Sequence, residues 1–374
     1  MNKTRLSLIT LLISGAILAG CSSDSNQSSA TEVEAQEEKQ TSEEGTDINL
    51  SELEDTKFYF TADEGGSISK INASTNEVVE FIEVDGIVHN VQVSPDGKML
   101  GATVIPMNED QASHGEDSHG DDGHGHGEEL GLALFFNTDT NELLKSIEVG
   151  NHPAHFVFTE DGKYALVTNA EDNNVSVIDM NSFTVTKTIS TGEGPHGFRI
   201  SADSQKAYIA NMSEDTVSVL NLETMQEEKK ITVGPTPVTT GITSDGNTLV
   251  ATLNTENMLA IVDLDTDQVQ KVEVGNGPAQ VYIDGNNQYA YVANQGTADT
   301  PSSSVTVVDL VSKTVTATIE TGKGAHGVVT SSDSKRLYVT NMFENTVTII
   351  DTEKSLVIDT IEVGKVPNGI SIMK

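Results

Sequence analysis

Beyond residue 57 the chain is a succession of short runs in which Val, Ile, Leu, Thr and Tyr alternate with polar residues, separated by polar turns. The clearest unit spans Ser331 to Gly364. It opens with a turn at Ser331–Lys335 and continues as an alternating run over Arg336–Asn341. A polar turn at Met342–Asn345 leads to a second run, Thr346–Asp351, and a third covers Leu356–Val363. An apolar period of two over stretches this short predicts half-buried β-strands. Runs matching the first strand of this unit recur at Lys57–Thr61, Lys98–Val104, Tyr164–Asn169, Lys206–Asn211, Thr248–Leu253, Gln288–Asn294 and Arg336–Asn341. Asn169 and Asn211 stand 42 residues apart, and Asn211 and Asn294 stand 83 apart, which is one and then two periods. This is the length of a four-stranded blade. The pattern therefore predicts an all-β chain folded as a seven-bladed β-propeller.

A further strand precedes each of these turns: Val88–Ser94, Pro153–Thr159, Pro195–Ser201, Pro237–Thr243, Pro278–Asp284, Ala325–Ser331 and Pro367–Met373. The phase of the repeat is shifted relative to the chain. The N-terminal blade supplies strands near Phe58, Ile68 and Val79 but no inner strand, whereas Gly369–Met373 is an inner strand without a blade. Pairing the C-terminal strand with the N-terminal blade closes the ring and leaves no free edge between them.

Tyr338-Val339-Thr340-Asn341, with Leu166-Val167-Thr168-Asn169, Tyr291-Val292-Ala293-Asn294 and the turn Ser94-Pro95-Asp96-Gly97, resembles the YVTN-type seven-bladed β-propeller repeat of exported bacterial and archaeal proteins. The resemblance runs from about residue 57 to 374. It implies the fold and leaves the activity open, because propellers host binding, scaffolding and catalysis alike.

Three segments are expected. Residues 1–20 read as an export signal, with Lys3 and Arg5 before an apolar run too short to span a bilayer. Leu18-Ala19-Gly20-Cys21 resembles the lipobox of bacterial lipoproteins, which would make Cys21, the only cysteine, the lipidated first residue of an extracytoplasmic, membrane-anchored chain. A cleaved secretory signal with a free Cys21 is the other reading. Residues 21–50, rich in Ser, Gln, Thr and Glu, read as a disordered acidic tether. Residues 51–374 form the propeller.

A formal charge of -36 excludes nucleic acid as a natural partner and makes cations the expected counter-species. One cysteine permits no intrachain disulfide, and the absence of tryptophan argues against blades locked by a tryptophan signature. No Cys-x-x-Cys-His haem motif, copper-binding cysteine cluster or Gly-x-Ser-x-Gly elbow is present. No haem or nucleotide cofactor is expected.

The regular pattern breaks at an insert, residues 108–130, between the second and third strands of the second blade. It holds His114, His119, His124 and His126 among eight carboxylates and five glycines, with no Lys or Arg. Imidazoles and carboxylates on a flexible chain suit zinc or another borderline divalent cation; a merely solvated acidic loop has the same composition. The other histidines lie at or beside one column of the repeat, the residue that follows the first position of each inner strand: His89, Ala154, His196, Val238, Ala279, His326 and Asn368. His152 and His155 flank it in the third blade.

Antiparallel strands send alternate connections to opposite faces, so all nine histidines should gather on one face. His89, His196 and His326 would then ring the channel mouth, with the insert above it and a longer sixth-blade connection, Gln295–Ser304, rising beside it. These histidines could equally bond the backbone of neighbouring blades. If they hold zinc, the ion should leave as pH falls through the ordinary histidine value near 6.5, moved upward by the acidic surroundings.

An exported propeller with a His-rich acidic segment also resembles the zinc chaperones of the AztD type that serve ABC-type uptake systems. That resemblance implies binding of a divalent metal, zinc as cofactor or cargo, for storage or delivery to a transporter component. A surface scaffold for a protein or glycan and a propeller enzyme of lactonase or oxidoreductase type are the alternative readings.

Overall fold

The structure, a computed structural model, describes residues 57–107 and 130–374. Cys21, the segments 1–20 and 21–50, and His114, His119, His124 and His126 lie outside the described residues. Every regular element among the described residues is a strand. The first blade holds β1 (Phe58–Asp63), β2 (Ser67–Asn72) and β3 (Val78–Glu83); the second holds β4 (Ile87–Val93), β5 (Met99–Ile105), β6 (Leu132–Asn137) and β7 (Leu143–Glu148). The third follows with β8 (Pro153–Phe158), β9 (Tyr164–Asn169), β10 (Asn174–Asp179) and β11 (Thr184–Ser190), and the fourth with β12 (Pro195–Ile200), β13 (Lys206–Asn211), β14 (Thr216–Asn221) and β15 (Gln226–Thr232). The fifth comprises β16 (Pro237–Ile242), β17 (Thr248–Leu253), β18 (Met258–Asp263) and β19 (Gln268–Glu273). The sixth comprises β20 (Pro278–Ile283), β21 (Tyr289–Gly296), β22 (Pro301–Asp309) and β23 (Thr314–Glu320). The seventh comprises β24 (Ala325–Thr330), β25 (Arg336–Asn341), β26 (Thr346–Asp351) and β27 (Leu356–Glu362). The last strand, β28 (Pro367–Ile372), returns to the first blade, whose order is β28-β1-β2-β3. Seven four-stranded antiparallel sheets result, and Tyr59 pairing with Ile372 marks the seam that closes the ring.

The middle strands of each blade are buried on both faces and the outer strands are largely exposed, as in β13 against β15. Apolar residues from neighbouring blades fill the spaces between sheets. Phe135 of the second blade meets Phe156 of the third edge to face, with ring centroids 5.3 Å apart, the packing that tryptophan supplies in other propellers.

The repeated Thr and Asn have separate tasks. In the third blade the Thr168 hydroxyl accepts the backbone N–H of His155 at 2.9 Å and donates to the carbonyl of His196 on the next blade at 2.9 Å. Thr103, Thr252 and Thr340 repeat both bonds in their own blades. Asn169 and Asn341 donate across the hairpin to Ser176 and Thr348, each at 2.9 Å. The threonine therefore staples blade to blade, and the asparagine closes its own hairpin.

The sixth-blade connection differs from expectation. β21 continues to Gly296 and β22 begins at Pro301, so the hairpin extends and the turn is confined to residues 297–300. Proline is admissible as the first residue of a strand, and the Thr297–Thr300 backbone and hydroxyl bonds close the turn.

Candidate metal centre

Each inner strand pairs with its neighbour through a shift in register just past its start. In β8 the break lies between Pro153 and Phe156, in β12 between Pro195 and Phe198, in β24 between Ala325 and Val328, and in β4 between Val88 and Asn90. A bulge bends the strand and re-aims the residues within it. His89, His155, His196 and His326 all occupy bulge positions, and the threonine bonds described above hold that backbone in place.

The structure brings His89, His155 and His196 together, on the inner strands of three consecutive blades, with one potential ligand nitrogen from each within 4.8 Å of the others. His89 Nε2 and His196 Nε2 are 3.3 Å apart. The far nitrogen of each ring is already engaged. His196 Nδ1 lies 3.2 Å from the Val238 carbonyl and therefore donates to it. His89 Nδ1 lies 3.0 Å from Glu64 Oε1, a carboxylate supplied by the β1–β2 turn. Asn368 of β28 donates to the same oxygen at 2.7 Å. With both Nδ1 hydrogens directed outward, the two Nε2 lone pairs face each other, an arrangement that needs a proton or a cation between them. A tetrahedral zinc ion with bonds of about 2.0–2.1 Å sets adjacent ligand nitrogens roughly 3.3–3.4 Å apart.

His155 is the unusual member. Its side chain is 1% exposed, and neither Nδ1 nor Nε2 has a hydrogen-bond partner among the described residues. Its ring centroid lies 5.0 Å from that of His196 and 6.2 Å from that of His89. Buried polar atoms are nearly always satisfied, so an orphaned imidazole indicates an interaction the protein chain does not itself provide.

The electrostatics keep His155 and His196 neutral. Burial, reinforced by His89 and His326, pushes His196 down to about 3, and burial with its imidazole and Arg199 neighbours pushes His155 well below the ordinary value. The upward shift anticipated from the acidic composition does not occur there, because the acidic groups lie mainly on the solvated surface while the channel mouth is enclosed. Burial opposes ionisation of Glu64, but its hydrogen bonds with His89 and Asn368 outweigh it and hold the carboxyl at about 2. Neutral imidazoles braced from behind by a carboxylate or a carbonyl are the form in which histidine binds metal.

His326 stays outside the three-histidine group. It lies on β24, buried, with Nδ1 3.2 Å from the Asn368 carbonyl and 3.5 Å from Gln280 Nε2. His152 has a left-handed backbone (φ 50°), and its half-exposed ring faces Glu171 at 3.7 Å. The trio that meets is therefore His89, His155 and His196. Met107, which precedes the insert, and Leu130, its last residue, follow β5 and precede β6 at the end of the blade where Ile105 pairs with Ile87. The insert thus joins the ring on the face that carries the three histidines.

Glu64 and His155 were the harder residues to find from sequence. Its neighbours in the aligned bulge column, Asn90, Gly197, Thr239, Gln280, Gly327 and Gly369, make His155 the one imidazole there. Glu64 reaches His89 from the turn of the neighbouring blade and carries no comparable signal.

No functionally curated protein matches the chain. Among solved structures it is similar to hydrazine synthase of Kuenenia stuttgartiensis, with a TM-score of 0.63 and 20% identity over 76% of this chain and 89% of that one. It is also similar to a functionally unknown protein from Desulfotomaculum acetoxidans DSM 771, with a TM-score of 0.68 and 15% identity over 85% of this chain and 99% of that one. At these identities the likeness is one of fold. The family of YNCE-like beta-propellers matches residues 134–374, in keeping with the seven blades and the YVTN-type repeat. The chain belongs to the YNCE-like β-propeller family.

Proposed function

We propose that the protein binds a divalent cation, zinc, through His89, His155 and His196, and holds it for storage or for delivery to an uptake system. The observation that carries this reading is the fully buried His155 ring, unpartnered at both nitrogens and within ligand distance of two imidazoles already braced for coordination. Three histidine ligands leave a fourth tetrahedral position open, the arrangement of a site that must exchange what it binds. The insert at residues 108–130, with His114, His119, His124 and His126, acts as a looser collecting arm over the same face. Lipidation at Cys21 would place the site outside the cytoplasm, within reach of an ABC-type metal transporter component.

Zinc calorimetry on three forms of the protein tests the reading. Changing His89, His155 and His196 together to Ala should remove the tight site, and deleting residues 108–130 should lower the stoichiometry while leaving that site in place. Unchanged binding in both variants would refute the proposal.

A further inference from the structure

The half of the channel away from the histidines contains a cavity of about 450 Å³. It is bordered by Ser94, Ser244, Asp284 and Ser331 at the turns of the opposite face, and farther in by Arg199 and Tyr282. Arg199 lies on β12, three residues beyond His196. The corresponding residues of the other inner strands are Gln92, Val157, Gly241, Tyr282, Val329 and Ser371, so this is the one cation at that level of the ring.

Its surroundings do not balance its charge. One guanidinium nitrogen, Nη1, donates to the carbonyl of Phe198 at 2.9 Å, and the guanidinium carbon lies 5.9 Å from the centre of the Tyr282 ring. Among the described residues no carboxylate lies within ion-pair distance of Arg199, although the chain carries 57 acidic residues against 21 Lys and Arg. Burial accordingly pushes its pKa down from the ordinary arginine value. A part-buried arginine without a counter-ion carries a desolvation cost. A guanidinium has five N–H donors in a planar fork shaped for a carboxylate, and among the described residues only Nη1 has an acceptor, the Phe198 carbonyl.

We propose that this half of the channel binds a small organic carboxylate, clasped by the free edge of the Arg199 guanidinium, with its hydrocarbon part against Tyr282 and Phe158. The ligand enters from the face of the Ser94-type turns, so the site is separate from the histidine centre and does not depend on zinc binding. Bidentate pairing supplies the missing counter-charge, and the aromatic wall favours carboxylates with an apolar body over inorganic anions.

Calorimetric titration of the zinc-free protein with acetate, benzoate, succinate and inorganic phosphate tests the assignment. Saturable binding of at least one carboxylate is expected. Arg199→Met should weaken it by roughly tenfold or more, the scale of a charge-assisted hydrogen bond, and Arg199→Lys should recover only part because it lacks the fork. Zinc calorimetry on Arg199→Met should still show the tight metal site, which separates failure of this assignment from failure of the metal reading. If Arg199→Met does not fold, Arg199→Lys and Tyr282→Ala carry the comparison. Equal binding in wild type and the Arg199 variants, binding of phosphate alone, or no binding of any carboxylate would overturn the proposal.

Discussion

Replacing His155 with Leu should make the metal-free protein more stable while abolishing its response to zinc. The imidazole is 1% exposed and leaves a donor and an acceptor without partners. Each buried unsatisfied group costs about 1–3 kcal/mol, and leucine fills a similar volume without polar atoms. Allowing for imperfect packing, the metal-free variant should gain about 2 kcal/mol, or roughly 2–5 °C in the unfolding midpoint for a chain of this size. Wild type in zinc at a hundred times its dissociation constant should gain about 2.7 kcal/mol, since only the folded state is bound. The variant should show little of that gain. Denaturant titrations with and without zinc measure both quantities. A metal-free variant less stable than wild type would mean that His155 makes a favourable contact in the closed ring, and a full zinc response in the variant would remove it from the ligand set.

Acid should destabilise the ring in stages. His326, held by burial at about 4, and His196, at about 3, are neutral in the folded protein and protonate near 6.5 once unfolded. Their contribution is complete above pH 6.5 and is lost as pH falls towards those values, on the order of 3 kcal/mol for His326 alone. Glu64, held at about 2, loses its contribution between about 4.3 and 2. Asp63 acts in the opposite sense: burial raises it to about 6 against the hydroxyls of Ser69, Thr61 and Ser67, so its contribution is lost as pH rises from 3.8 to 6. Unfolding midpoints measured from pH 8 to pH 3 should fall overall, and a flat profile would show that the histidines are not neutral when folded. Asp63→Asn should raise stability at pH 7 by about 2 kcal/mol, because an amide there can donate to Ser67 and Ser69 as Asn169 donates to Ser176. Loss of stability in that variant would mean that the carboxylate is the better partner for the three hydroxyls.

The strands were legible because burial on alternate positions writes itself into the order of Val, Ile and Thr. The predicted inner strand Pro195–Ser201 and the observed Pro195–Ile200 differ by one residue. The closing pair could be deduced from counting alone, since one blade lacked a strand and one strand lacked a blade. The centre was less accessible. The column containing His89, His196 and His326 is visible in the repeat, but the bulge gathers two successive positions at the channel mouth. His155 therefore reaches the site from the residue after the column. Ring order then decides who meets: the third blade lies between the second and the fourth, so His155 joins His89 and His196, whereas between His89 and His326 of the seventh stands the first blade, whose inner strand carries Asn368 and no histidine. Arg199 was overlooked because an isolated arginine on a strand has no distinguishing pattern until the channel around it is known.

The seam between β1 and β28 also sets the order in which the molecule can be finished. The strand that completes the first blade follows every other strand in the chain, so the earliest blade waits longest for its partner. Contacts of such wide sequence separation form slowly, and until they do the ring has two unpaired edges. Asn368 travels on that last strand and reaches Glu64, which in turn braces His89. The histidine centre is therefore fully braced only in a closed ring, so the geometry of its side chains is the last part of the molecule to be completed.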